Sequence, residues 1–531
     1  MTKKKLFLLS ALSGIMLFAS WPPHGFYPLI FIAFVPLLLA ERAVFMNREA
    51  YKGAHVFLFS WWAFLIWNLL TTWWIYNASL GGAIMAIVVN AFLMAIIFWL
   101  FHLTKKLVGA KYDPLIFICY WISFEFFHMN WDLSWPWLTL GNVFAASPNA
   151  VQWYEYTGVF GGSLWVLTVN VLVFELIVKT ISGISMPPSK KIIGALAVIL
   201  PITFSLLINF LPGTERSRPV DVVIVQPNID PYNEKFSGNY EDQLEKMLKL
   251  AEQKVDSNTD YLVFPETALQ EDLWENNIQN TLSIHHLKDF IKKFPKLKIV
   301  TGASTHYQYE AGEEHPATAR KFTDADEYYD AYNTALQIDS SGKIQVYHKS
   351  VLVPGVEKMP YPEVFGFLEK FAIDLGGTSG SLAGQKERTV FFSRNGIATG
   401  IAPVICYESI YGEFVGEYIR NGAGLVFIIT NDGWWGDTPG YKQHLAYASL
   451  RAIETRKWIA RSANTGISCF IAPSGEQLQK TGWWKEASIK QPLTVEPGET
   501  FYTRHGDYIA RGTMWLSALI FGFALFKKFR K

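Results

Sequence analysis

The sequence predicts a polytopic α-helical membrane bundle with an α/β domain inserted ahead of its last helix. Three observations predict it. Long apolar runs follow one another from Leu6 to Phe210, and a last one runs from Thr513 to Phe526. Between them, Pro212 to Arg511 has the mixed composition of a water-soluble domain of ~300 residues, large enough for its own core. Lys and Arg outside that domain fall only in alternate connections. The averages over 531 residues, half of them hydrophobic with 20 Trp and 39 Phe, merge these two unlike parts.

A hydrocarbon core of about 30 Å needs about 20 largely apolar residues per helical span. Eight stretches qualify: 6–20, 27–40, 54–76, 81–103, 114–129, 160–178, 192–210 and 512–527. The start also reads as a cleavable signal peptide, since Lys3, Lys4 and Lys5 precede an apolar run ending in Phe18, Ala19 and Ser20. Cleavage would remove the helix on which the charge pattern depends. With the N-terminus in the cytoplasm, all 16 basic residues outside the large domain lie inside, from Lys3 to Lys531. The opposite connections, including Met129 to Phe160, contain no Lys or Arg. The positive-inside rule then sets the domain outside the cytoplasm. The expected division is a seven-span bundle over 1–211, an extracytoplasmic domain over 212–511, and an eighth helix with a basic cytoplasmic tail over 512–531.

The domain carries 31 Lys plus Arg against 39 Asp plus Glu, a balance that gives no support to nucleic-acid binding. Three cysteines, Cys119, Cys406 and Cys469, are too few and scattered for a disulfide framework or a metal site. Cys119 reads as a small buried apolar residue. An extracytoplasmic compartment permits a Cys406 to Cys469 disulfide, which the sequence leaves open.

Short β-branched runs alternate with amphipathic stretches in the domain, an α/β or α+β pattern. Strands are expected at 221–225, 261–264, 298–301, 334–338, 344–348, 389–393, 397–405, 425–430 and 467–472, and helices at 240–254 and 443–460. Hairpin turns are expected at Ser340-Ser341-Gly342 and Arg394-Asn395-Gly396.

Three segments carry an ionisable or nucleophilic residue at a predicted strand end: VFPETA (263–268), VYHKSVLVPGVE (346–357) and IAPVICYES (401–409). The candidates are Glu266, Lys349 and Cys406. A strand end is a rigid platform for a reacting group. Each residue alone has an ordinary reading: a helix-start carboxylate, a solvated lysine, a core thiol.

Together, in this order and with these flanks, the segments resemble the nitrilase superfamily. That resemblance implies an αββα sandwich, with Glu266 as base, Lys349 as oxyanion stabiliser and Cys406 as nucleophile. Further residues narrow it: Gln226 with Asn228 and Ile229; Leu352-Val353-Pro354 with Glu357; NDGWWGD (431–437) followed by His444 and Arg451 to Glu454; Arg461 with Asn464, Thr465 and Gly466; and, in the bundle, Trp135-Pro136-Trp137, Gly158, Gly161 and Asn170. With eight spans, this set resembles the apolipoprotein N-acyltransferase family over nearly the whole chain.

The family resemblance implies that an acyl chain moves from a phospholipid to Cys406 as a thioester. It then passes to the α-amino group of the lipidated N-terminal cysteine of a diacylglyceryl apolipoprotein. Membrane lipids are the implied surroundings, the bacterial inner membrane the location with the domain on the periplasmic side, and a monomer the expected state. No metal or cofactor is implied. Glu357 is expected to orient or assist the triad, or to form a salt bridge with Lys349. Tyr407 and Glu408 are expected to shape the pocket or to be structural, and Trp434 to line an acyl entrance or sit in the core. Two departures stand out. Gly355-Val356-Glu357 replaces the family's Phe-Gly-Glu after Leu-Val-Pro, and Phe236 stands where many members have Trp. Two other readings stay open: a membrane-anchored nitrilase-type amidase that hydrolyses its acyl-enzyme, and a non-catalytic lipoprotein-binding protein.

Overall fold

In the computed structural model, which describes residues 1–208, 219–235, 238–361, 363, 381–393, 400–495 and 498–530, the apolar runs are helices. Six helical segments among the described residues are long and apolar enough to cross a membrane: Tyr27–Met46, Ala54–Asn77, Leu80–Val108, Tyr154–Ile181, Pro188–Ile208 and Tyr508–Phe529. The other two expected spans are helices Lys3–Ser20 and Asp113–Met129, of 18 and 17 residues. Three lysines open the first, and the second is short, so length and composition do not mark either as a span.

The chain divides into two units: Met1–Tyr76 with Leu80–Pro212 and His505–Lys531, and Asn77–Ser79 with Gly213–Arg504. The strongest charges inside the helical unit are paired, as an apolar interior favours. Glu41 receives His102 Nδ1 at 2.6 Å and Lys105 Nζ at 2.8 Å, and Lys105 also meets Asp113 at 2.7 Å. The expected helix at 27–40 is broken into a 3-10 turn, Tyr27–Phe31, and a helix, Val35–Met46, each opened by a proline. Asn170 bridges the break, donating to the Ile30 carbonyl at 2.7 Å and accepting from the Phe34 N–H at 2.9 Å. The helix at 154–181 kinks at Gly158, whose φ of 59° a side chain would disfavour.

The second unit contains two β-sheets. Strands β1 (Pro219–Gln226), β2 (Tyr261–Val263), β3 (Leu269–Trp274), β4 (Lys298–Gln308), β5 (Arg320–Lys321), β6 (Tyr328–Ile338) and β7 (Ile344–His348) belong to one sheet, which a last strand of the chain completes. Strands β8 (Gly400–Ile405), β9 (Ala423–Thr430), β10 (Ile459–Ala463), β11 (Cys469–Ile471) and β12 (Gln477–Leu478) form the other, and β13 (Ala487–Thr494) returns to pair antiparallel with β1. β1, β2 and β4 are parallel, as are β8, β9 and β10. Their continuous apolar sequences, such as the fully buried AGLVFIIT of β9, are what a parallel strand covered on both faces requires.

Helices Tyr240–Glu252 and Leu282–Lys293 lay Leu244, Met247 and Leu250, and Ile284, Leu287 and Phe290, into one core with Val223, Leu262 and Ile299 of the first sheet. Tyr261 of the first sheet meets Phe427 of the second edge-on at 5.3 Å. Helices Gly412–Arg420 and Pro439–Thr455 pack with the second sheet, so the layers are helix, sheet, sheet, helix.

Two expected elements are corrected. The helix at 443–460 is Pro439–Thr455, because Arg456 adopts the left-handed conformation (φ 52°) and Ile459 and Ala460 belong to β10. The expected strand at 389–393 is reduced to one bridge between Phe391 and Ile401. The 340–342 turn joins β6 to β7, with Gly342 at φ 75°. The turn expected at 394–396 lies outside the described residues.

Candidate active site

Four of the parallel strands deliver polar residues just past their carboxyl ends: Glu266 after β2, Cys406 after β8, Asn431 after β9 and Asn464 after β10. This is where ligands gather in parallel sheets. Past β2, Phe264 still bonds to Val300, and the chain then turns at Thr267 (φ 44°) against Gly302. A Cβ on Gly302 would stand 2.4 Å from the Thr267 nitrogen and 2.6 Å from Glu266 Cα, so only glycine lets the corner close. That corner aims the Glu266 carboxylate into the interior.

There it is tightly held. Oε1 accepts from Asn333 Nδ2 at 2.8 Å and Lys349 Nζ at 3.2 Å, while Oε2 accepts from the Asn431 N–H at 3.0 Å. Lys349, 1% exposed at the end of β7, also donates to Glu357 Oε1 at 2.7 Å. Glu357 is held in turn by Asn333 at 3.0 Å and by the Val353 N–H at 2.8 Å. Two carboxylates, one ammonium and one amide thus close a ring. Glu357 therefore forms the salt bridge with Lys349 while standing one group away from Glu266.

Cys406 opens a 3-10 turn, Cys406–Ile410, with a positive φ of 49°. A side chain in that region is strained and persists only where its surroundings enforce it. Its carbonyl accepts from Ser409 Oγ at 2.7 Å and lies 3.2 Å from His444 Nε2. His444 Nδ1 lies 3.0 Å from Asp432 Oδ1, and Asp432 Oδ2 accepts from Arg461 Nη2 at 2.6 Å. Asp432 and Arg461 are fully buried, and the Arg461 guanidinium, with the contact from His444, overcomes the cost of burial to hold the Asp432 carboxyl far below its usual range. Cys406 and Cys469 are both free thiols.

The charges set the resting protonation. Burial pushes the Cys406 thiol well up, Glu266 adds to that, and Lys349 only partly opposes it. Burial also works against the Glu266 anion, yet Lys349, Asn333 and Lys235 outweigh it and the carboxyl lies below its ordinary value. Lys349 is held well above its usual value by Glu357 and Glu266 despite its burial. These directions favour a protonated Cys406 thiol and an ionised Glu266 carboxylate, a pairing in which a carboxylate can take a thiol proton.

The remaining expected residues are placed as follows. Glu408 is buried beneath the turn: it accepts from Tyr347 Oη at 2.6 Å, the Ser350 N–H at 2.7 Å and the Ile405 N–H at 2.8 Å. It thereby ties the loop after Lys349 to the end of β8. Burial pushes its carboxyl up to about 7, against Tyr347 and those backbone donors. Tyr407 is buried, edge-on to Tyr411 at 5.4 Å. Trp434 is half-buried, with its carbonyl accepting from Tyr232 Oη at 2.8 Å and its ring 5.3 Å from that of Tyr232. Phe236 lies outside the described residues. Asn333 and Lys235 were missed by sequence reasoning. Asn333 stands at the centre of β6, on a strand that also carries Asp330, Thr334 and Gln337, so nothing local singles it out. Lys235 gives no signal either, since a lysine beside Glu234 in a Pro- and Asn-rich segment reads as solvated.

The two sheets, with Glu266, Lys349 and Cys406 at their strand ends, form an α/β domain of the carbon-nitrogen hydrolase class, and residues 222–495 match the carbon-nitrogen hydrolase family. Residues 13–172 match the apolipoprotein N-acyltransferase N-terminal domain. The sequence is 31% identical over 529 residues to the apolipoprotein N-acyltransferase of Chlorobaculum tepidum, covering 97% of this chain and 96% of that one. It is 26% identical over 532 residues to the protein of the same name from Geobacter metallireducens, covering 98% and 96%. The chain belongs to the apolipoprotein N-acyltransferase family. Among solved structures, Saccharomyces cerevisiae Nit3, a member of branch 10 of the nitrilase superfamily, aligns at 16% identity and a TM-score of 0.37, covering 55% of this chain and 96% of that one.

Proposed function

We propose that the chain transfers an acyl chain from a phospholipid, through a thioester on Cys406, to the α-amino group of the lipidated N-terminal cysteine of an apolipoprotein. The observation that carries the reading is the placement of Glu266 and Lys349, 3.2 Å apart, and of the buried Cys406, all at strand ends. The thiol attacks the ester carbonyl, forming the S–C bond as Glu266 takes the thiol proton. The carbonyl oxygen becomes an oxyanion facing Lys349 and the Tyr407 N–H; one such donor is worth roughly 10² to 10³ in rate. Collapse breaks the ester C–O bond, and the departing lysophospholipid oxygen takes the proton from Glu266.

The acceptor amine then attacks the thioester, an N–C bond forms, Glu266 takes the amine proton, and the sulfur leaves and is reprotonated. The reference pKa of ~8 for an α-amino group leaves a neutral minority able to attack near pH 7. An ester becomes a thioester and then an amide with no external energy source. Release of the first product before the second substrate binds makes the kinetics ping-pong.

The expected topology supplies the setting. In this reading eight helices span the bacterial inner membrane, residues 212–511 lie on the periplasmic side, and both termini are cytoplasmic. The alternation of basic connections supports that orientation, and the six long apolar segments support the membrane location. Glu357 orients Lys349 and Glu408 fixes the nucleophile turn. Trp434 belongs to the approach to the site.

The test supplies the purified protein with a defined phospholipid and a diacylglyceryl-cysteine lipopeptide. The reading predicts N-acylated lipopeptide and lysophospholipid in equal amounts. Release of free fatty acid with no amide would replace it with the hydrolase reading.

A further inference from the structure

A second lysine reaches the acylation centre. Lys235 is 3% exposed, and its ammonium donates to the Glu266 carbonyl at 3.2 Å and to Thr267 Oγ1 at 2.5 Å. The Asn431 amide, turned so that its oxygen faces two donors, accepts from Lys235 Nζ at 3.2 Å and from the Trp434 indole N–H at 3.3 Å. The local backbone is fixed as well: the Lys235 N–H donates to the Asp230 carbonyl, and Gln243 Nε2 donates to the Lys235 carbonyl at 3.3 Å. All these partners are oxygens that accept; the Glu266 carboxylate is the charge it faces, and Cys406 is its other titratable neighbour.

The charge count gives this lysine a task. Glu266 and Glu357 share the single ammonium of Lys349, so without a further cation the ring carries one net negative charge in a water-poor interior. A buried carboxylate short of a cation takes up a proton. A protonated Glu266 is no base. Its corner is also the one closed on Gly302, with Thr267 in the left-handed region, and the Lys235 ammonium bonds to both residues of that corner.

We propose that Lys235 is a positioning residue for acyl transfer, a second cation that pins the Glu266–Thr267 corner and keeps the Glu266 carboxyl ionised. It acts through Glu266 and does not touch the reacting carbonyl. Burial pushes its own ammonium down to about 8, with the Glu266 carboxylate opposing, so it remains a cation at neutral pH. The inference rests on the thioester reading given above.

The experiment measures the rate of acyl-enzyme formation by intact mass, with phospholipid alone and no amine acceptor, across a pH series in the full-length detergent-solubilised protein. Omitting the acceptor removes its amine from the profile. Removing one adjacent cation raises a carboxyl by about one to three pH units. Lys235→Met is therefore expected to move the acid limb of the acylation profile up by that amount. Lys235→Arg, which keeps the charge, is expected to leave the limb near its original position while changing the maximal rate. A limb that stays in place in Lys235→Met overturns the proposal, even if the rate falls uniformly, since that is the signature of packing alone. A limb that shifts equally in Lys235→Arg also overturns it, because charge would not be the cause. Where Lys235→Met does not fold, Lys235→Gln gives the same comparison. Absence of any acyl adduct in the unaltered protein at every pH would instead remove the underlying thioester reading.

Discussion

The Lys349 ammonium lies closer to Glu357, at 2.7 Å, than to Glu266, at 3.2 Å. Glu357 is therefore the shorter contact of this ammonium, and in the proposed mechanism it holds the cation that faces the oxyanion.

Neutralising that hold displaces Lys349 toward Glu266. Glu357→Gln is expected to slow acyl-enzyme formation by roughly 10² to 10³, the range for losing one oxyanion donor. The time course of the Cys406 adduct measures this. A rate within threefold (about 0.7 kcal/mol) of the unaltered protein would show that Glu266 alone positions the lysine.

Gly302 sets the Glu266 corner from below. In Gly302→Ala the new methyl would meet backbone atoms of Glu266 and Thr267 at 2.6 Å or less. Overpacking of this kind costs typically 1–3 kcal/mol, and a displacement of about 1 Å at a base costs about 10²-fold in rate. Thermal unfolding and acylation are both expected to decline in this variant.

The protonation of Glu266 has a calculable sign. Its folded value is below its unfolded value, so it stabilises the fold above about 4.3, and that contribution is lost as pH falls through the folded value. The unfolding midpoint of Glu266→Gln is expected to lie below that of the unaltered protein near neutrality, and the gap is expected to close as pH falls through the folded value. A gap that widened with acidity would reverse the sign of the shift.

Asp432 is the anion that pairs with Arg461 and His444 behind the Cys406 carbonyl. Asp432→Asn leaves the fully buried Arg461 without its charge partner, a change that costs about 3–5 kcal/mol. A lowered midpoint of thermal unfolding, with the Cys406 adduct slowed in the protein that remains folded, is the expected outcome.

Much of this was legible in the sequence because the signals were periodic or local. Apolar runs and one-sided lysines marked the bundle. Strand-end residues in PETA, YHKS and ICYES marked the triad, and the family resemblance gave them roles. What was not legible depends on distant pairing. Glu408 adjoins the nucleophile in sequence but serves the backbone of Ser350 and Ile405. Asn333 sits mid-domain on β6 and reaches Glu266 and Glu357 only once β6 lies beside β4. The end of the 439–455 helix was misplaced because nothing in Glu454-Thr455-Arg456-Lys457 announces that Arg456 turns left-handed. The break between Phe31 and Val35 needed the partner Asn170, more than a hundred residues away.

The central claim is a covalent one, and intact mass spectrometry of Cys406 tests it most directly. Incubated with a single phospholipid species and no acceptor, the purified protein is expected to gain one acyl mass. Hydroxylamine should remove that mass, a diacyl lipopeptide should discharge it, and Cys406→Ala should never acquire it. An unmodified mass under these conditions, together with N-acylation activity that persists in Cys406→Ala, would contradict the account.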